Sequence, residues 1–261
     1  MGVLDEIVAH KRSEVATQRV RRPVAPLVEA TRALPPARDF EGALRPGAGE
    51  RVRLIAEVKR GSPSRGLFRA DLDPVAQGRI YAGAGAAAVS VLTDAKYFHG
   101  SLDDLVAVRA AVPVPVLRKE FIVDEYQLWE ARAAGADAVL LIVAALEDGA
   151  LRDLHHAAKG AGLATLVEVH TAAELDRALR IGPAVVGVNN RDLQTLRTSL
   201  EPSLALLPQI PPGVLAVSES GLASGADVER VVAAGARAVL VGETLLRADD
   251  VAAKVRELSL R

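Results

Sequence analysis

Apolar positions along the chain fall into two alternating textures. Short runs rich in valine, isoleucine and leucine stop abruptly at polar or glycine-bearing loops, as buried strands do. Between them lie longer stretches in which alanine and leucine recur every three or four residues, as on one face of a helix. Three of the junctions nearly repeat: AGAGAAAVSVL from Ala82, AAGADAVLLIV from Ala133 and AAGARAVLVGE from Ala233. Their central glycines, Gly85, Gly135 and Gly235, are 50 and 100 residues apart. Both spacings are multiples of about 25 residues, a length that holds one strand, one helix and two short loops. In each copy an alanine-rich helix stops at glycine and a β-branched strand follows directly.

That spacing predicts eight strands, at Arg53–Lys59, Ala87–Thr93, Val114–Lys119, Ala138–Val143, Ala164–Val169, Ala184–Asn189, Val214–Ser218 and Ala238–Gly242. Helices are predicted over Asp124–Ala134, Glu147–Ala161, Thr171–Arg180 and Ser224–Ala234, with Asp124 and Thr171 as N-caps and Glu174 completing a capping box. Eight βα units in 261 residues argue for an α/β fold, a closed (β/α)8 TIM barrel. An open doubly wound sheet is the alternative, since strand count alone does not prove closure. Leu4, Ile7, Val8, Lys11 and Val15 lie at helical spacing, which predicts an additional N-terminal helix over Gly2–Val20. The proline-rich segment Arg22–Pro46 is expected to wrap the barrel surface. The chain reads as a single barrel domain, 1–261, with residues 1–50 as a helical extension packed on it.

Composition narrows the chemistry. Half of the residues are hydrophobic and the net charge is −1, so the chain has core enough for one large domain and no basic footprint for nucleic acid. The absence of cysteine removes disulfides, thiolate nucleophiles and the common zinc frameworks, and it fits a reducing cytoplasm. The longest apolar run, Ala138–Leu146, is too short to span a bilayer, so no membrane partner is expected.

Against this apolar background, ionisable residues gather where strands end. The first strand carries Glu57 and Lys59 on one face, two residues apart. Lys119 closes the third, Glu168 lies in the fifth, Asn189 and Arg191 end the sixth, and Glu219 and Ser220 end the seventh. In a barrel these ends form one face, where active sites are built. Each residue alone reads as a salt-bridged strand terminus. Together, buried charges at one end of a barrel cost more than stability requires, and a functional cluster explains them better. Only six of the 32 basic residues are lysines, and two of the six stand at strand ends; lysine, unlike arginine, can transfer a proton.

Weaker signals surround the cluster. Gly221, Gly242 and Glu243 follow the last two strands, where barrels often hold phosphate on backbone amides, and Ser62 and Ser64 in the first loop could add hydroxyls. Tyr97, Phe98 and Phe121 follow strands two and three and could form a flat apolar wall. GAGAAA, from Gly83, matches a dinucleotide fingerprint but precedes its strand instead of following one, so it is set aside. His155 and His156 are adjacent on a helix with no ligand spacing and read as surface histidines, so no metal site is expected.

The segments EVKRGSPSRG, VLTDAKYFHGS, VLRKEFIVDEYQ, LVEVH, VGVNNRDL, VSESG and LVGETLL, in that order from about Ile55 to Leu246, together resemble the indole-3-glycerol-phosphate synthase family. The resemblance implies a tryptophan-pathway barrel whose N-terminal helix lies over the mouth and helps bind substrate. It implies ring closure of 1-(2-carboxyphenylamino)-1-deoxyribulose 5-phosphate to indole-3-glycerol phosphate, with loss of carbon dioxide and water and with no cofactor. The partner implied is a small molecule bearing a phosphate and an aromatic carboxylate. By the same resemblance Lys119 is the general acid of ring closure, and Glu168 and Lys59 share the dehydration chemistry, unranked, with Glu57 holding or assisting Lys59. Asn189 and Arg191 orient the substrate's carboxylate and hydroxyls, with Glu219, Ser220, Phe98 and Phe121 as further substrate contacts. The phosphate is expected among Lys59, Ser62, Gly221, Gly242 and Glu243. Two departures stand out: Glu120 replaces a common aspartate and should face away from Lys119, and Glu243 replaces a common serine or threonine and should turn its side chain from the phosphate. Three rivals remain: a Schiff-base aldolase or decarboxylase, in which borohydride would trap a lysine adduct; a phosphoribosyl isomerase, which would leave the charges of strands one, three and five unexplained; and a sugar-phosphate barrel that binds without turnover.

Overall fold

The computed structural model describes residues 2–62, 66–67, 69–192 and 195–260. Eight parallel strands close into a barrel: β1 (Arg53–Val58), β2 (Ala88–Leu92), β3 (Val116–Lys119), β4 (Ala138–Ile142), β5 (Ala164–Val169), β6 (Val185–Asn189), β7 (Leu215–Glu219) and β8 (Ala238–Val241). Each strand pairs with its neighbours in sequence, and β8 closes on β1 through the register Arg53 to Ala238. The alternative of an open sheet is thereby removed. β5 falls on its expected bounds, and the other strands differ from those expected by one or two residues at one or both ends, as strand ends in loops generally do.

Two apolar layers hold the barrel. Inward-facing residues such as Ile55, Leu117, Leu140, Leu166, Val217 and Leu240 pack together at its centre. Outward-facing residues pack under the helices in a larger layer that includes Val89, Val139, Val167 and Val239. Strands buried on both faces need continuous apolar runs, which is why these strands show no alternation.

The extension departs from the expected wrap. Helix α1 (Val3–Arg21) is followed by a second helix, α2 (Val24–Arg32), and by a short helical turn, Phe40–Ala43. Pro23 and Pro26 do not prevent α2, because the first amides of a helix have no intrahelical acceptor to lose. Leu27 of α2 packs with Val15 of α1 and with Tyr126 on the helix Tyr126–Ala133. Phe40 and Leu44 then join the inner layer of the barrel, so this segment plugs the core as well as covering it. A small hairpin, Gly61–Ser62 with Gly66–Leu67, also follows β1 where a plain loop was expected. Ser64 lies outside the described residues.

Candidate active site

The barrel register brings the charged strand ends to one level. Glu57 on β1, Lys119 on β3, Glu168 on β5 and Glu219 on β7 all lie within the mouth, the three carboxylates buried and the lysine partly so. The intervening strands make room for them. A Cβ at Gly187, on β6, would fall 2.0 Å from Glu219 Oε1, and one at Gly242, after β8, would fall 2.4 Å from Glu57 Oε1. Glycine at these two positions leaves the space that the carboxylates occupy.

Lys119 is the centre of the cluster. Its Nζ lies 3.4 Å from Glu168 Oε2 and 3.4 Å from Glu219 Oε2. Burial opposes its charge, but Glu168, Glu219 and Glu57 outweigh burial and hold the amine protonated well beyond its ordinary range. One ammonium cannot neutralise both neighbouring carboxylates. Burial tends to protonate Glu168, yet Lys119, His170 and a hydrogen bond from Asn189 keep it ionised below the usual carboxylate range. For Glu219 burial wins: with Glu168 and Glu57 adding repulsion against Lys119's attraction, its ionisation is pushed up to about 8. Two carboxyls of one type are thus driven apart, one ionised and one holding its proton at neutral pH.

Glu57 pairs with Lys59 at 2.9 Å. Burial raises the Glu57 carboxyl, while Lys59, Lys119 and Arg191 bring it below its ordinary value. These groups open onto a cavity of about 730 Å³ that is also lined by Ser220, Gly221, Gly242, Glu243, Thr244 and Arg247. Ser220 and Gly221 are consecutive left-handed residues, φ +66° and +76°, a turn held by Asn190, whose Nδ2 donates to Ser218 Oγ and Ser220 O at 3.0 Å each. Glu243 pairs with two arginines that line the same cavity, Arg191 at 3.7 Å and Arg247 at 3.1 Å. A second cavity of about 650 Å³ shares Arg191 with the first and reaches His170, Asn189 and the start of α1.

Not every candidate joins this assembly. Ser62 sits in the hairpin and lines neither cavity. Phe98 and Phe121 form a half-buried tilted pair, centroids 6.0 Å apart, also off the lining of both cavities. Tyr97 goes elsewhere: its ring stands edge-on to His10 of α1 and its hydroxyl donates to Glu6. His155 is a correction, since it is buried with Nδ1 2.9 Å from Thr165 Oγ1; its spacing with Leu151, Leu154 and Ala158 marks the core face of its helix. Glu120 faces away from Lys119 as expected, toward Thr93 and Lys11.

Two residues were overlooked in the sequence. His170 stands 3.6 Å from Glu168, and its place two residues after Glu168, just past the end of β5, was the available signal. Lys11 was visible only as a polar residue in the apolar stripe of α1. It is buried and pairs with Asp94 at 2.9 Å and Glu120 at 3.1 Å, tying α1 to the ends of β2 and β3.

Comparison with known proteins follows the same contours. A family model described as indole-3-glycerol phosphate synthase matches residues 4–258. A protein of that name from Laribacter hongkongensis is 49% identical over 258 residues, 98% of each chain. Another from Roseiflexus castenholzii is 49% identical over 267 residues, covering 99% of this chain and 98% of the relative. Among solved structures, thiamine phosphate pyrophosphorylase from Pyrococcus furiosus superposes with a TM-score of 0.60 at 16% identity, over 81% of this chain and 96% of that one. A mandelate oxidase gives the same score at 20% identity, over 80% and 72%. These structural likenesses concern the barrel alone.

Proposed function

Because the chain belongs to the indole-3-glycerol phosphate synthase family, we propose that its strand-end cluster divides that family's reaction among Lys119, Glu168, Lys59 and Glu57. The enzyme is a carboxy-lyase of tryptophan biosynthesis that acts on a small phosphate-bearing substrate. It closes the ring of 1-(2-carboxyphenylamino)-1-deoxyribulose 5-phosphate with loss of carbon dioxide and water.

The observation that carries the assignment is the Lys119 ammonium held at 3.4 Å from both Glu168 and Glu219. Ring closure forms a bond from the carboxylate-bearing aromatic carbon to the ketose carbonyl carbon, and the carbonyl oxygen becomes an alkoxide. An alkoxide is a stronger base than an amine, so a fully charged Lys119 can give it a proton as the negative charge develops. The C–C bond to the carboxylate then breaks, carbon dioxide leaves, and its electron pair restores the aromatic ring. Dehydration needs a proton for the departing hydroxyl and a base for the proton lost in exchange. Glu168, kept ionised, suits the base; Lys59, an ammonium anchored by Glu57, suits the acid.

The phosphate lies in the cavity lined by Lys59, Gly221, Gly242 and Glu243, with the backbone amides of the glycines as donors and Ser62 left out of the set. Asn189 and Arg191 turn toward the aromatic carboxylate and the hydroxyls, and Glu219 and Ser220 complete the floor. Phe98 and Phe121, which line neither cavity, are left out of the substrate contacts together with Ser62. The chain acts as one barrel domain in the cytoplasm.

Rapid quenching with mass detection separates the roles. Lys119→Ala should leave the substrate intact, whereas Glu168→Gln should accumulate a species that has lost carbon dioxide but kept its water. Wild-type rates for Lys119→Ala, or a Glu168→Gln that yields only product at the normal rate, would overturn the division.

A further inference from the structure

His170 has no part in the mechanism above, yet it is mostly buried and stands between two carboxylates. Its Nδ1 is 3.2 Å from Glu174 Oε2, and the same oxygen accepts its backbone N–H at 2.8 Å. Glu174 is itself fixed, its amide capped by Thr171 Oγ1 at 3.2 Å. On the other side of the ring Nε2 lies 3.6 Å from Glu168 Oε1 and has no hydrogen-bond partner among the described residues.

The ring's chemistry limits the protonation states that fit. Glu174 is an acceptor, so Nδ1 carries the hydrogen. A neutral ring would then turn the Nε2 lone pair toward Glu168, with two acceptors face to face. Only the imidazolium donates toward both. Burial works against that charge, but the hydrogen bond to Glu174 and the charges of Glu168, Glu174 and Glu219 outweigh it and raise the ionisation of His170 above its ordinary value. Arg191, Arg197, Asp5 and Asp192 line the cavity onto which the ring opens, two of each sign, and Lys119 stands beyond Glu168.

We propose that His170, clamped by Glu174, is a positioning residue: as the imidazolium it holds Glu168 Oε1 and so leaves Oε2 aimed at Lys119 and the substrate. This rests on the reading of Glu168 as the base of dehydration. Orienting a group through a second carboxylate is a common way to fix a reactive side chain. His170 stands at Oε1 of Glu168 and Lys119 at Oε2, and His170 lines only the second cavity. Its loss therefore bears on Glu168 and not on the phosphate.

Steady-state kcat and KM from about pH 6 to 10 test this, with thermal midpoints as the check on folding. His170→Asn should lower kcat by roughly tenfold while KM changes little, and His170→Lys, which retains a cation, should recover part of the loss. Glu174→Gln weakens the clamp, so the alkaline fall of kcat should move to lower pH. In a His170→Asn background the same Glu174→Gln change should move nothing. The proposal is overturned if His170→Asn matches the wild type, if it loses kcat only in step with its thermal midpoint, or if Glu174→Gln shifts the profile equally without His170. A Glu168→Gln enzyme as fast as the wild type would instead remove the base assignment, and the clamp's purpose with it.

Discussion

Lys11 offers the sharpest test of how the N-terminal helix is built into the enzyme. Its ammonium is almost wholly shielded and lies 2.9 Å from Asp94 Oδ2, 3.1 Å from Glu120 Oε1 and 3.1 Å from Glu14. Lys11→Met keeps the length and apolar stem but removes the charge. Glu120 retains Thr93 Oγ1 at 2.7 Å and the Phe121 amide at 2.9 Å. Asp94 is worse placed: Oδ1 keeps the Tyr97 amide, while Oδ2 is buried with no other partner. Removing one member of a buried pair costs about 3–5 kcal/mol, because the remaining charge is left uncompensated. For a chain of this size that corresponds to a fall of roughly 10 °C in thermal midpoint.

The sign with pH follows from the lysine. Burial opposes its charge, but Glu120 and Asp94 hold its ionisation above the unfolded value. A group raised in this way contributes stability that is fully present below the unfolded lysine value of about 10.4 and is lost only as pH rises through the higher folded one. The deficit of Lys11→Met should therefore stay level between about pH 7 and 9. Chemical denaturation of wild type, Lys11→Met, Glu120→Gln and the double variant measures it, and the double variant should lose less than the sum of the singles. Because Glu120 adjoins Lys119, kcat should fall as well. A deficit under about 1 kcal/mol, as for an exposed pair, or strict additivity in the cycle, would refute the buried Lys11–Asp94–Glu120 tie between α1 and the barrel.

Two further outcomes follow from the mouth. Gly242→Ala would set a Cβ 2.4 Å from Glu57 Oε1; the carboxylate must swing off Lys59, so we expect about 1–3 kcal/mol of destabilisation with a larger loss of activity, and unchanged kcat and KM would contradict the role given to this glycine. Glu219→Gln tests the proton-holding carboxyl. A carboxyl whose folded value is raised, here to about 8, stabilises the fold below the unfolded glutamate value of about 4.3 and loses that contribution as pH rises toward 8. The thermal midpoint of Glu219→Gln should accordingly gain on the wild type between about pH 5 and 9, and parallel curves would argue that Glu219 is ionised throughout.

Much of this architecture was legible in the chain. Alanine-rich helices ending at Gly85, Gly135 and Gly235 made the βα period visible because each needs the same turn, and all three glycines have positive φ. The strand-end cluster was legible because Glu57, Lys119, Glu168 and Glu219 interrupt strands that are otherwise apolar, an expense that packing does not explain. The rest depended on long-range pairing. Nothing local tells Lys11 from a solvated lysine until Asp94 and Glu120 arrive from β2 and β3. His155 was misread because its partner Thr165 lies on the following strand, and α2 because the prolines around it usually break helices. Ser62 was placed at the phosphate by its position after β1 and by resemblance to the family, and the structure sets it in the strand Gly61–Ser62 of the hairpin, off the lining of the cavity.

The most direct measurement is indole fluorescence during turnover of the carboxyphenylamino-deoxyribulose phosphate by the purified chain and by Lys119→Ala, side by side, with neither metal nor nucleotide added. Fluorescence should rise with the wild type and should rise more slowly by about 10²-fold or more in the variant, the range that loss of a general acid produces. A folded Lys119→Ala that still binds substrate and forms the indole at the wild-type rate would contradict the placement of the acid at the centre of the barrel.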